Sequence, residues 1–253
     1  MINKGFTDIP RNKIEEDRLE IKNYIKGLCD FIKNCPTPMT ISIQGDWGSG
    51  KTSFMNMIKD NLDKDNKDID TIFFNTWQFS QFNLGDSLPI VFLTKLLDNM
   101  TEGYEKIFTN NLKKYLSVIA KTTARIASSV LSAAIKIDVT EPAEKLINEI
   151  YDKGYEDVIK IISELKNEFK KYVDEILKVK DKKRLVVFID DLDRIYPEKA
   201  IEILEVLKLF VDCEKCVFIL AIDYEVVIQG VKQKYDGVLN DDKGRKFFDK
   251  IIL

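Results

Sequence analysis

The sequence predicts an α/β fold in which a parallel sheet is flanked by helices, with a large all-helical insertion in the middle of the chain. Short apolar runs rich in Ile, Val and Phe alternate with amphipathic helical patterns near both ends of the chain. This alternation is typical of buried parallel strands joined by helices. Between the second apolar run and the next one, near Leu185, roughly a hundred residues carry no strand pattern and are predicted to be helical.

The composition is that of an ordinary globular protein, and it excludes several kinds of chemistry. Of the 253 residues 45% are hydrophobic, and the formal net charge of −3 gives no general reason to expect a nucleic-acid partner. The chain has no histidine, which excludes Ser-His and Cys-His catalysis and histidine-bound metals. Residues 1–8 are polar and lack the apolar core of a signal peptide, so a cytoplasmic location is expected.

Hydrophobic periodicity and turn residues define the predicted elements. Strands are expected at residues 39–44, at 69–76, near Leu185 and at 216–222. Helices are expected at residues 13–33, 53–62, 88–100, 106–137, 155–179, 198–210 and 224–234. Together these strands and helices predict one composite domain. It consists of a first half of the core (residues 1–83), the helical insertion (84–183) and a second half of the core (184–253).

The chain is organised around residues 45–52, Gly-Asp-Trp-Gly-Ser-Gly-Lys-Thr, which fit the phosphate-binding pattern G-x-x-x-x-G-K-[ST]. The glycines let the backbone curl so that its N–H groups point at phosphate oxygens. Lys51 is expected to reach the β- and γ-phosphates and to act in catalysis, and the Thr52 hydroxyl to bind Mg²⁺. The predicted nucleotide-binding residues are Gly45, Asp46, Trp47, Gly48, Ser49, Gly50, Lys51, Thr52 and Ser53.

A second group of polar residues follows the predicted strand near Leu185. Asp190 is expected to hold Mg²⁺, through water, opposite Thr52. The adjacent Asp191 is expected to polarise the water that attacks the γ-phosphate, which a simple phosphate-binding module does not need. The alternative is that Asp191 and Asp193 are a helix cap and a surface charge.

Two further charged residues are candidate catalytic groups with open roles. Arg194 is either an arginine finger for a neighbouring subunit or an ion-pair partner of Asp193, and the adjacent acids favour the ion pair. Asp223 ends the last predicted strand, where it either senses the attacking water near the γ-phosphate or caps the helix that follows. ATP is the favoured nucleotide because the guanine-specific pattern N-K-x-D is absent.

Taken in order, these motifs resemble the KAP family of P-loop NTPases. The resemblance rests on Gly-Asp-Trp-Gly-Ser-Gly-Lys-Thr (45–52), Phe-Asn-Thr-Trp (74–77) and Ile-Asp-Asp-Leu-Asp-Arg (189–194). Further pieces are Glu-Asp-Arg-Leu (16–19), Phe-Ile-Leu-Ala-Ile-Asp (218–223) and Phe-Asp-Lys-Ile-Ile (248–252). The resemblance implies the additional-strand class of P-loop fold with strand order 5-1-4-3-2. It also implies ATP-dependent roles at membranes or in the exclusion of phages and plasmids.

The chain departs from the family pattern in two places. Many members carry transmembrane helices in the insertion, whereas residues 115–137 are interrupted by Lys121, Arg125 and Lys136 and are not a clear span. A packed helix is expected there, with a surface-lying amphipathic helix and membrane contact as the alternative. Members usually continue beyond the point where this sequence ends, so it is expected to be a truncated domain.

Two tryptophans accompany the predicted site. The resemblance implies that Asn75 and Trp77 are fixed features of the family, whereas residue preferences predict Trp77 as part of the core. Trp47 lies within the loop, beside the expected phosphates, and is predicted to brace the loop against the insertion.

The four cysteines are Cys29, Cys35, Cys213 and Cys216, and free, buried thiols are expected. A tetrahedral zinc site is the alternative. The implied strand order would bring Cys35, Cys213 and Cys216 to one end of two neighbouring strands, with Cys29 as the fourth ligand.

Three functions fit these residues. The leading hypothesis is a Mg²⁺-dependent ATPase that converts hydrolysis into a conformational or assembly switch, with the helical insertion as the surface for a protein partner or for self-association. The alternative is an ATP-gated scaffold with little hydrolysis. A small-molecule kinase is less favoured, because the paired acids follow a distal strand and strand two lacks a substrate-binding acid.

Overall fold

A computed structural model of the chain describes residues 9–17, 20–65, 67–79, 88–100, 155–208 and 210–234. Within these residues four strands form one parallel sheet in the order β1-β4-β3-β2, namely β1 (Met39–Gln44), β2 (Ile69–Asn75), β3 (Arg184–Asp190) and β4 (Cys216–Ile222). The described helices are α1 (Lys22–Asn34), α2 (Lys51–Asp65), α3 (Leu88–Met100), α4 (Tyr155–Val179), α5 (Pro197–Lys208) and α6 (Tyr224–Lys234). The predicted α/β fold with a parallel sheet and flanking helices is confirmed.

Two parts of the fold prediction concern residues that the structure does not describe. The five-strand order 5-1-4-3-2 needs a fifth strand beyond the four that are described. Most of the helical insertion, including the expected helix at 106–137, lies within residues 101–154, which the structure does not describe. Both stay predictions. Among the described helices, none is long and apolar enough to cross a membrane.

The two central strands are buried on both faces, as their sequences require. In β3, Val187 and Ile189 face one hydrophobic cluster while Val186 and Phe188 face the other. Successive side chains of a strand point to opposite faces, so an unbroken apolar run fits only a strand that is covered on both sides. Burial of each of these side chains stabilises the fold by roughly 1.5–3 kcal/mol.

Helices cover the two faces of the sheet. Helices α1 and α2 supply the apolar side chains on one face, and α3 to α6 supply them on the other. Contacts between elements hold the layer formed by α3 to α6 together. The Phe169 and Phe210 rings meet edge to face with centroids 4.7 Å apart. The Tyr172 hydroxyl donates a hydrogen bond to the Leu97 carbonyl. The sheet is thereby fixed in position, with the carboxyl ends of all four strands at one edge.

Helix α1 begins later than the sequence predicts. Apolar spacing favoured a helix over residues 13–33, but the structure has a 3₁₀ turn at Ile14–Glu16 and begins α1 at Lys22. Glu20 interrupts the helical path because its backbone is left-handed, with φ of 56°. The Asp17 carboxylate accepts a hydrogen bond from the Lys22 N–H, so a side chain satisfies the start of the helix.

The zinc alternative for the cysteines is not supported. All four thiols are free and buried, and the described residues contain no group of three His, Cys, Asp or Glu side chains placed to hold a metal ion. The reason is the sheet: Cys29 and Cys35 pack on one face, Cys213 and Cys216 on the other. Burial raises the pKa of the Cys29 thiol to about 12. The thiols are therefore core residues.

We expect Gly230→Ala to destabilise the fold by about 1–3 kcal/mol, because the new methyl group would overlap a neighbouring helix. A Cβ at Gly230 in α6 would collide with the backbone carbonyl of Pro197 and lie 2.8 Å from Ile201 Cγ1 in α5. The matched control is Gly27→Ala in α1, where an added Cβ meets nothing within 4 Å. That change should stabilise by about 0.5–1 kcal/mol through helix propensity. Urea unfolding of both variants measures the difference, and equal stabilities would contradict the close approach of α5 and α6.

Candidate nucleotide site

The carboxyl edge of the sheet brings the predicted motifs together. In the strand register, Asn75 at the end of β2 lies opposite Asp190 at the end of β3, and the loop at residues 45–50 continues from β1. A cavity of about 220 Å³ lies between loop and acids. Its lining residues are Ile9, Pro10, Trp47, Gly48, Gly50, Lys51, Thr52, Ser53, Asp190, Asp191, Asp193 and Arg194. Motifs about 140 residues apart in sequence thus form one site.

The loop takes a conformation that requires its glycines. Gly48 and Gly50 have φ of 80° and 90°, a region that residues with a side chain rarely adopt. At Gly45 the constraint is steric, because an added Cβ would lie 2.5 Å from the Ser49 hydroxyl oxygen. The Ser49 N–H donates to the Asp46 carbonyl and closes the turn. The loop is thus held in a compact turn directly before α2, where helix N–H groups and the helix dipole favour an anion.

Lys51 is held by three oxygens. Its Nζ donates to the carbonyls of Gly45 at 2.7 Å and Asp46 at 3.1 Å, and it forms an ion pair with Asp193 at 2.9 Å. The Asp193 side chain is only 6% exposed, which contradicts the alternative that Asp193 is a surface charge. It belongs to the site because the turn after β3 directs it toward the loop lysine.

Asp190 fits a cation ligand. It is 1% exposed, its Oδ1 accepts the Asp191 N–H at 2.9 Å, and its Oδ2 is buried without a hydrogen-bond partner among the described residues. Burial raises the pKa of Asp190 above its ordinary value; the nearby Thr52 hydroxyl lowers it, and the charge of Asp191 raises it again. A buried carboxylate oxygen without a partner is costly, and a hard divalent cation such as Mg²⁺ supplies one.

Asp191 is fixed by contacts to two other elements. Its Oδ1 lies 2.6 Å from Arg194 Nε, and its Oδ2 accepts a hydrogen bond from Asn75 Nδ2 at 2.7 Å. The residue has a left-handed backbone with φ of 61°, which Asp tolerates better than most residues. This backbone turns the chain sharply after β3, so that Asp190 and Asp191 both remain at the sheet edge.

Arg194 pairs with a different acid from the one predicted. The sequence favoured Asp193, but the 3₁₀ turn at Leu192–Arg194 brings Arg194 back onto Asp191, three residues earlier. The guanidinium carbon also lies 5.8 Å from the centroid of the Trp77 ring. Trp77 is 47% exposed, so its prediction as a core residue was wrong. Its indole instead forms a wall beside Arg194.

Asn75 is a site residue whose contact with Asp191 the sequence did not predict. Its amide nitrogen binds Asp191, while its amide oxygen accepts the Trp77 N–H at 2.7 Å. One asparagine therefore links β2 to the turn after β3 across 116 residues of sequence. The sequence indicates this contact only through the position of Asn75 at the end of β2, which neighbours β3, the strand that ends at Asp190.

Two other predicted residues have different placements. Asp223 Oδ1 accepts the Glu225 N–H at 3.0 Å and caps α6, and Asp223 is absent from the described lining of the 220 Å³ cavity. Its role as a sensor stays a prediction. Trp47 lines the cavity and is 78% exposed, and the insertion it was expected to brace lies largely outside the described residues.

Comparison with known proteins agrees with this geometry. The model of the KAP family P-loop domain matches residues 21–253. The phage T7 exclusion protein of Escherichia coli strain K12 is 25% identical over 266 residues, an alignment that covers 99% of this chain and 34% of that protein. The chain therefore spans about a third of the length of this relative. A match over nearly the whole chain, with loop and acids in place at one sheet edge, shows that the chain belongs to the KAP family of P-loop domains, which implies nucleotide binding.

Proposed function

We propose that the chain binds ATP with Mg²⁺ and hydrolyses it to drive a conformational or assembly switch. One observation carries this proposal: the loop lysine, the Thr52 hydroxyl and two buried acids, Asp190 and Asp191, surround a single cavity. A phosphate-binding module needs only the loop, whereas the second acid is the group that hydrolysis needs.

Each residue has a role that its position supports. Lys51 would hold the β- and γ-phosphates, with the turned backbone after Gly48 and Gly50 presenting its N–H groups. Thr52 and Asp190 would hold Mg²⁺, which when bound neutralises charge that develops on the phosphate oxygens. Asp191 would accept a proton from the attacking water and orient it. Burial of the two acids strengthens these interactions, because the local dielectric is lower than that of water.

A specific contact favours the second candidate, an ATP-gated scaffold with little hydrolysis. Both carboxylate oxygens of Asp191 are already bound, one by Arg194 and one by Asn75. A carboxylate so held is less available to an attacking water, because each of its oxygens already has a partner. In the hydrolysing case one of these contacts must loosen. In the scaffold case both persist.

We propose phage exclusion as the biological setting. The support is the relative named a phage T7 exclusion protein, of which this chain matches about a third. The switch would act on a protein partner or a second copy through the helical insertion, residues 84–183. Arg194 would act within its own subunit, since it is already paired with Asp191 there.

Phosphate release from the purified chain tests the proposal. We expect ATP-dependent phosphate release in the presence of Mg²⁺ and none in EDTA, because Asp190 and Thr52 need the cation to hold the phosphates. A parallel titration measures ATP binding. Binding without release would establish the scaffold, and the absence of ATP binding would overturn both candidates.

A further inference from the structure

A second cavity, of about 510 Å³, lies beside the phosphate-binding loop. It shares Gly50, Lys51 and Ser53 with the 220 Å³ cavity, so the two meet at the start of α2. Its volume lies within the range of about 300–1,000 Å³ that small-molecule sites occupy. The smaller cavity, lined by the loop and the acids, has the polar groups for the triphosphate. The remainder of a nucleotide must lie outside it.

The walls of the larger cavity suit a flat heteroaromatic ring. Its apolar lining comes from Ile21, Ile43, Phe54 and Met57, which lie directly before α1, in β1 and in α2. Apolar and aromatic side chains bind the faces of a base through burial and stacking. The charged lining residues Arg11, Glu16 and Asp17 supply donors and acceptors for its polar edges.

The wall formed by residues 9–17 is anchored to the loop helix. The Arg11 N–H donates to the Ser53 hydroxyl at 3.0 Å, and the Asn56 side-chain amide donates to Asn12 Oδ1 at 2.9 Å. These bonds cross 42 and 44 residues of sequence. Ser53, one of the residues shared by the two cavities, is thus fixed to the segment that closes the larger one. The cavity is a built feature of the fold.

We propose that this larger cavity receives the base and ribose of the nucleotide whose phosphates bind the loop. The proposal rests on the proposed function and extends it, because it assigns the base to the N-terminal segment and to α2. Nucleotide identity would then be read by Ile21 and Phe54 together with the carboxylates of Glu16 and Asp17, and the loop would read only phosphates.

Phe54→Ala tests the proposal, because it removes an aromatic wall without touching the loop. Calorimetric titration of the whole chain with Mg²⁺·ATP, Mg²⁺·GTP and Mg²⁺·tripolyphosphate separates the base from the phosphates. We expect the unmodified chain to bind a nucleotide at least tenfold more tightly than tripolyphosphate. We expect Phe54→Ala to lose at least fivefold in nucleotide affinity while its tripolyphosphate affinity changes less than twofold.

The matched control is Phe73→Ala, the same truncation of a partly buried phenylalanine in the same hydrophobic cluster, at a position that does not line the cavity. It should change neither affinity more than twofold. Ile21→Ala, on the facing wall, should reproduce the selective loss, and it decides the question if Phe54→Ala does not fold.

Equal binding of nucleotide and tripolyphosphate by the unmodified chain would overturn the base cavity and leave the proposed ATPase standing. So would a loss of both affinities to the same extent in Phe54→Ala and Ile21→Ala. Tighter binding of GTP than of ATP, lost in both variants, would support the cavity and overturn the choice of ATP. If none of the three compounds binds, the proposed function fails and this inference fails with it.

Discussion

Asp191→Asn is expected to lower phosphate release by about 10²–10⁴-fold, the usual contribution of a general base, while ATP affinity changes less than threefold. Asn has nearly the shape of Asp but cannot accept a proton from water. The left-handed backbone at this position, with φ of 61°, also favours Asn over other replacements, since Asn adopts it readily. The measurement is single-turnover phosphate release beside calorimetric ATP binding.

The matched control for this change is Glu198→Gln, the same loss of charge on an exposed residue in the first turn of α5. It should leave both quantities unchanged. Phosphate release by Asp191→Asn at the unmodified rate would contradict the role of Asp191 as the base. Because Arg194 loses its ion pair in this variant, a melting curve must accompany the kinetics.

Lys51→Ala is expected to lose both ATP binding and hydrolysis. A hydrogen bond between charged groups contributes about 1.5–3 kcal/mol, so ATP affinity should fall about 10- to 150-fold. The same change removes the ion-pair partner of Asp193, whose side chain is 6% exposed. An unpaired carboxylate in a cavity that solvent reaches should also lower the free energy of unfolding by about 1–3 kcal/mol.

The double variant Lys51→Ala/Asp193→Asn separates the two effects. Removing the stranded charge should restore most of the melting temperature, whereas ATP affinity should stay low. Equilibrium unfolding and calorimetric titration of the single and double variants measure both quantities. Recovery of ATP affinity in the double variant would contradict the assignment of Lys51 to the phosphates.

The strands and most helices could be predicted because their signals are local. An unbroken apolar run such as residues 185–189 fits only a strand that is covered on both faces, and the spacing in α4 gave its bounds at Tyr155–Val179. The start of α1 could not be predicted in this way. Ile14 and Ile21 are both on the apolar pattern, yet one lies in a 3₁₀ turn and the other precedes the helix.

The sequence predicts which residues meet at the candidate site better than it predicts which of them contact one another. Loop and acids follow strands, and parallel strands end at one edge, so their meeting follows from the fold. Arg194 meets Asp191 across the left-handed backbone at Asp191 and the 3₁₀ turn that follows, and apolar periodicity carries no information about either. The contact between Asn75 and Asp191 depends on the register of β2 against β3, which spacing in the sequence does not define.

The ion pair between Lys51 and Asp193 has a consequence for how ligands compete at the loop. The lysine carries its own counter-anion, so a phosphate bound as proposed would exchange with a carboxylate at Nζ, and its affinity would be the difference between two anions. Asp193 lies in the 3₁₀ turn that leads into Pro197, the first residue of α5. Pro197 in turn lies against Gly230 of α6. A few residues of backbone therefore join the carboxylate that pairs with Lys51 to the contact between α5 and α6.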